Sequence, residues 1–141
     1  MLNVTILCVG TLKEQYLRDA VAEYSKRIGG FAKLTVRETK SDRELIPLIP
    51  KKAYKIALCV EGKQLSSEQL AELTERLPSE GCSEIVYVIG DSDGMGEDVK
   101  SECDLRLSFS KMTFPHQLMR VILLEQIYRA FTIINHGKYH K

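Results

Sequence analysis

Apolar residues fall along this chain in two spacings. Leu2–Val9, Lys55–Val60 and Glu84–Ile89 are compact apolar runs, and Gly10 and Gly90 close the first and the third. Short runs of this kind, rich in β-branched residues and bounded by turn residues, predict buried strands. Lys33–Glu38 alternates, and Leu105–Phe109 is short and apolar; both are expected strands. Between them the spacing becomes helical. Tyr16, Leu17, Ala20, Val21, Tyr24 and Ile28 mark a helix over Leu12–Ile28, stopped by Gly29-Gly30. Ser66 followed by Gln69 forms a capping box, and Leu70, Leu73 and Leu77 line the helix behind it up to Pro78 and Gly81. A short helix is expected near Glu97–Cys103. A long one starts at Pro115 and presents Leu118, Val121, Ile122, Ile127, Tyr128, Phe131 and Ile134 to the core. Residues 39–54, with Pro47 and Pro50, read as a polar connection with at most one helical turn.

Strands that alternate with helices, and central strands apolar on both faces, imply an α/β fold. The sheet should be mostly parallel, with helices on both faces. At 141 residues, without repeats or low-complexity tracts, the chain reads as a single domain spanning 1–141. In such sheets ligands bind beyond the carboxyl ends of strands. That selects three loops: after Val60, after Ile89 and after Phe109.

Composition narrows the class. Hydrophobic residues make up 44% and charged residues 28%, as in an ordered globular domain. Cys8, Cys59, Cys82 and Cys103 show no Cys-x-x-Cys pair and no companion histidines, which argues against a structural zinc site. No basic stretch precedes the first apolar run, and no run reaches membrane-spanning length. These features lead to the expectation of a reduced, soluble, cytoplasmic protein without a metal. The net charge of +1 hides an asymmetry. Residues 1–110 carry 15 Lys and Arg against 18 Asp and Glu, a balance of −3. Residues 111–141 carry Lys111, Arg120, Arg129, Lys138 and Lys141 against Glu125 alone, and all three histidines, His116, His136 and His140. A basic end suits a polyanion, or equally a helix end complementing its own dipole.

Each loop admits two readings. Gly90-Asp91-Ser92-Asp93-Gly94-Met95-Gly96 lets a backbone approach a ligand, or is a tight turn with acidic caps. Its Asp-x-Asp-Gly also resembles the nucleophile loop of haloacid-dehalogenase phosphatases. That motif belongs on a first strand and needs a later acidic pair, whereas only Glu125 follows Asp104. The EF-hand spacing fails because Gly94 comes too early. Phe109–His116 can fold over a flat heteroaromatic ring, or is a packed connection. In the long helix, Glu125 and Arg129 can pair at four residues' spacing, while Arg120 can reach a phosphate. Tyr139-His140-Lys141 can meet an unstacked RNA base, or is an idle terminus.

Three stretches carry a resemblance that decides between these readings. They are Leu107–Arg120, with its core Lys111-Met112-Thr113-Phe114-Pro115-His116, then Leu124–Phe131, then Tyr139-His140-Lys141. Val9-Gly10-Thr11-Leu12-Lys13, Glu23-Tyr24-Ser25-Lys26-Arg27 and Leu58 through Gly62-Lys63-Gln64-Leu65-Ser66-Ser67-Glu68 extend it over nearly the whole chain. Together they resemble the ribosomal RNA large subunit methyltransferase H family. The resemblance implies a small SPOUT-class protein with a C-terminal trefoil knot. It implies a homodimer that uses S-adenosyl-L-methionine (SAM) to methylate N3 of a pseudouridine in 23S rRNA within assembled ribosomes. It places cofactor contacts on Leu58, Gly90, Phe109, Ser110, Lys111, Met112, Thr113 and Phe114. His140 is the expected general base and Tyr139 its stacking or orienting partner. Arg120, Lys138 and Lys141 are expected RNA contacts. The chain departs from the family pattern at Asp91, where a second glycine is usual, at Cys59, at Lys138, and in a shorter segment around residues 40–52. The competing expectation is a non-catalytic RNA-binding protein that kept the fold.

Overall fold

A computed structural model describes all residues from Met1 to Lys141. In chain order the elements are β1 (Leu2–Val9), α1 (Gln15–Ile28), β2 (Ala32–Thr39), two 3₁₀ turns (Asp42–Glu44 and Ile46–Leu48) and β3 (Tyr54–Gln64). Then follow α2 (Ser67–Ser79), β4 (Glu84–Ile89), α3 (Glu97–Lys100), β5 (Leu105–Ser108) and α4 (His116–Ile134). The five strands form one parallel sheet in the order β2-β1-β4-β3-β5. The carboxyl ends of β3, β4 and β5 therefore lie side by side.

Side chains alternate across each strand, and the two faces bury different sets. Val4, Ile6 and Cys8 of β1 join Ile85, Tyr87 and Ile89 of β4 against Leu70, Leu73 and Leu77 of α2 and Leu123, Leu124, Ile127 and Phe131 of α4. Leu7, Val9, Val86 and Val88 face the other way, against Leu45, Met95 and Val99. Both faces are covered, but unequally. Three long helices lie over the first, with α4 packed against both α1 and α2. The second has only the 3₁₀ turns and one turn of α3.

The capping box is as expected: Ser66 Oγ accepts from the Gln69 N–H at 3.0 Å, and Gln69 Oε1 accepts from the Ser66 N–H at 2.8 Å. Other boundaries move. Helix α1 begins at Gln15, because Arg18 holds the Leu12 and Lys13 carbonyls in the preceding loop at 3.0 and 2.8 Å. Pro78 lies inside the last turn of α2, and the chain turns away at Gly81 with φ +87°. Strand β3 does not end at Val60 but runs to Gln64, with its register against β5 shifting between Leu58 and Lys63. The connection after β2 forms two short turns rather than at most one.

Candidate active site

A pocket of about 430 Å³ opens where β3, β4 and β5 end. That is within the usual size of a small-molecule site. Its β3 wall begins at Leu58 and continues through Cys59, Val60 and Glu61, the segment displaced by the register shift. Gly62 permits this shift. A Cβ there would stand 2.7 Å from the Arg106 carbonyl, so only glycine lets the two backbones approach. Burial, with Glu61 adding to it, raises the Cys59 thiol above its ordinary value, so this pocket cysteine stays protonated. Glu61 is ion-paired to Lys100, and both line the pocket.

The β4 wall is the glycine loop. Gly90 is buried, and a Cβ on it would meet Met95 Cβ at 2.8 Å and Met95 Cα at 2.9 Å. Gly90 is thus required by its own loop: a larger side chain there displaces Met95 before it reaches any ligand. The Gly94 N–H donates to the Asp91 carbonyl at 2.9 Å, closing a turn in which Gly94 has φ +105°. Asp91 Oδ1 accepts from the Ser92 N–H at 2.7 Å. The carboxylate that departs from the family pattern is therefore an exposed turn residue at the pocket edge, half engaged with its neighbour. Two loop amides point to a residue that sequence reasoning missed. Asp42 Oδ1 accepts from the Asp91 N–H at 3.2 Å, and Asp42 Oδ2 from the Gly96 N–H at 2.8 Å. In a phosphate-binding loop such amides face an anion. Here two of them turn away from the pocket to the chain's own carboxylate.

The third wall is the loop from β5 to α4. Ser108 Oγ donates to the Ser110 carbonyl at 2.9 Å, and Ser110 Oγ accepts from the Met112 N–H at 2.9 Å. Phe109, Ser110, Met112, Thr113 and Phe114 line the pocket; Lys111 is exposed and does not. Seven of the eight expected cofactor residues are thus brought together. Met119 and His116 complete the wall. His116 Nε2 donates to the Val9 carbonyl at 2.9 Å, and Gln117 Nε2 to the Thr11 carbonyl at 2.9 Å. These bonds fix the first turn of α4 to the end of β1.

Arg120 belongs to the same anchorage, which overturns its expected role at a phosphate. Only 3% of it is exposed. Its Nη1 meets Glu38 Oε2 at 2.5 Å and its Nη2 donates to the Gly10 carbonyl at 3.0 Å. A guanidinium so enclosed has no free face for RNA.

The tail folds onto α4. Tyr139 stands edge-on to Tyr128 at 4.8 Å between centroids, donates its hydroxyl to Glu125, and lies 4.7 Å from the Arg129 guanidinium. Arg129 also donates to Glu125 Oε2 at 2.8 Å and to His140 Nδ1 at 3.0 Å. Arginine cannot accept, so the His140 proton resides on Nε2, 3.5 Å from Glu68 Oε1. The bond to Glu125, assisted by burial, pushes the Tyr139 phenol up to about 12. Glu125 and Arg129, read from sequence as a simple pair, also hold both catalytic candidates. Lys138 and Lys141 are exposed and enter no ion pair. No residue of the tail lines the pocket of its own chain.

A parallel sheet with a three-loop pocket at its strand ends is the build of an α/β enzyme. Residues 2–140 match the family model described as "Predicted SPOUT methyltransferase". Curated relatives agree along their whole length. A protein of Fusobacterium nucleatum named ribosomal RNA large subunit methyltransferase H is 41% identical over 155 residues, covering 99% of this chain and 100% of that protein. Proteins of the same name from Clostridium novyi and Bifidobacterium animalis are each 45% identical over 159 residues, with the same coverage. The chain belongs to this family of SPOUT methyltransferases.

Proposed function

We propose that the chain transfers a methyl group from SAM to N3 of a pseudouridine in 23S rRNA, as a homodimer acting on assembled ribosomes in the cytoplasm. The observation that carries this reading is the pocket. In a chain of this family, seven residues expected to contact SAM line one cavity at the ends of β3, β4 and β5. Its chemistry suits the cofactor. Phe109, Met112 and Phe114 offer apolar faces to a ring, while Asp91 and Asp93 put carboxylates on a wall that would face a cation. Two glycine-loop amides are taken by Asp42 rather than left for an anion, as fits a nucleoside without phosphates.

Bound SAM supplies a methyl group already activated by its sulfonium. The chain's tasks are to hold N3 in line and to accept its proton. Orientation contributes up to ~7–11 kcal/mol in well-aligned systems. A positioned base adds ~100-fold or more. His140 is the base in this reading, taking the proton at Nδ1 once the RNA displaces the Arg129 guanidinium from that nitrogen. Tyr139, kept neutral by Glu125, stacks on or orients the base rather than taking a proton. Exposed Lys138 and Lys141 meet the RNA backbone. The tail lies outside its own chain's pocket, and Leu118, Val121 and Ile122 of α4 remain partly exposed. A second copy seated on that face would bring the two halves of the site together.

The test uses ribosomes that lack the modification. Wild-type protein should methylate them, His140→Ala should lose at least ~100-fold in rate, and calorimetry should detect SAM binding to both. Wild-type rates in His140→Ala would remove the tail from catalysis. No binding at millimolar SAM would leave the non-catalytic RNA-binding reading.

A further inference from the structure

The glycine loop of the pocket is held from outside the pocket. Asp42 opens the first 3₁₀ turn, on the thinly covered face of the sheet. Its two carboxylate oxygens each accept one amide, Asp91 N–H at 3.2 Å and Gly96 N–H at 2.8 Å. Those amides stand at the two ends of the segment 91–96, and Gly90 through Met95 line the pocket between Leu58 and Phe109. The loop's internal bonds are local, within Asp91–Gly94, and cannot by themselves fix its position relative to β3 and β5. The turn that bears Asp42 is itself braced: the Leu45 N–H donates to the Asp42 carbonyl at 3.0 Å, and the Lys40 N–H donates to Glu44 Oε2 at 2.7 Å.

We propose that Asp42, though outside the pocket, is a positioning residue for the cofactor, its carboxylate clamping both ends of the glycine loop. This rests on the SAM reading of the pocket. Two bonds to one charged acceptor order the loop before any ligand arrives, so their loss falls on cofactor affinity. Asparagine at this position keeps one acceptor but turns an NH₂ toward the second amide. Alanine removes both acceptors without that clash. Glu44 provides the control, since it braces the same turn and touches no pocket residue.

The experiment titrates S-adenosylhomocysteine calorimetrically into wild-type protein, Asp42→Asn, Asp42→Ala and Glu44→Gln, with thermal melting of each. Steady-state methylation of unmodified ribosomes accompanies the titrations. Both Asp42 variants should bind about tenfold more weakly, the worth of one charge-assisted hydrogen bond. KM for SAM should rise in parallel, while kcat at saturating SAM and KM for ribosomes hold. Glu44→Gln should match wild type. Wild-type affinity in both Asp42 variants would overturn the proposal, as would an equal loss in Glu44→Gln. A wild-type protein that binds no S-adenosylhomocysteine would instead overturn the methyltransferase reading itself.

Discussion

The burial of Arg120 sets up an unequal response to breaking its ion pair. The Arg120 side chain is 4% exposed, whereas that of Glu38 is 38% exposed. Removing one partner of a buried pair costs ~3–5 kcal/mol when the charge left behind stays buried. Glu38→Ala leaves Arg120 in that position, relieved only by the Gly10 carbonyl, so about 3 kcal/mol is expected. Arg120→Met leaves Glu38, which water already reaches. It loses a partly screened pair and the bond to Gly10 and fills the site with apolar volume, for about 1–2 kcal/mol. The double variant should cost about as much as Arg120→Met alone, since it carries no orphaned guanidinium. Urea unfolding at fixed protein concentration measures all three. An Arg120→Met cost equal to or above that of Glu38→Ala, or simple additivity in the double variant, would refute the reasoning. The same variant tests whether Arg120 contacts RNA. Arg120→Met should leave the salt dependence of RNA binding unchanged, whereas loss of a phosphate contact would reduce the log–log slope by ~0.7–0.9.

Two further outcomes follow from the tail and from α4. The Tyr139 phenol, raised from the ordinary ~10 to about 12 by its bond to Glu125, favours folding fully below about pH 10, and this contribution disappears as pH climbs toward 12. The urea midpoints of wild type and Tyr139→Phe should therefore stay a constant distance apart up to about pH 10 and converge above it; a gap independent of pH contradicts the Glu125 bond. For the proposed dimer, Val121→Arg places a charge in the partly exposed apolar patch of α4 and should convert dimer to monomer by sedimentation equilibrium, with loss of methylation; a monomeric wild type, or a dimer that ignores the change, refutes the interface.

What the sequence made legible is local. Strands such as Glu84–Ile89 announce themselves because both faces are buried, and Gly10 and Gly90 mark where two of the loops leave the sheet. Strand ends alone point to three loops, and two of those loops line one pocket together with Leu58–Glu61, which the fold keeps within β3. The resemblance then supplied the particular residues, all but Lys111 of which stand there. Nonlocal pairing was not legible. Glu61-Gly62-Lys63-Gln64 is polar and looks like a loop, yet β5 extends the sheet alongside it. Asp42 sits in a polar connection, 49 residues before the amide it holds. Arg120 carries a charge that reads as solvent-facing, and its partner lies 82 residues upstream. In each case the missing information is a contact that no spacing along the chain encodes.

Helix α4 shows why its inner face was only partly legible, and what that means for the site. Its residues are apolar nearly all round, so a period can be drawn through several faces at once. The sequence favoured Leu118, Val121, Ile122, Ile127, Tyr128, Phe131 and Ile134; the fold buries Ile127 and Phe131 together with Leu123, Leu124 and Ala130, packs Tyr128 and Ile134 against the same core, and leaves Leu118, Val121 and Ile122 partly exposed. A contiguous apolar patch on a second helix face marks a place for a partner. Part of the cover over α4 is the chain's own tail, since Tyr139 seats against Tyr128. Leu118 and Val121 stay partly exposed, and they belong to the same first turns that carry His116 and Met119 into the pocket wall. A subunit docked there would lie beside the pocket mouth. It is therefore the spare face of α4, more than the basic charge of the tail, that argues for a site assembled from two copies.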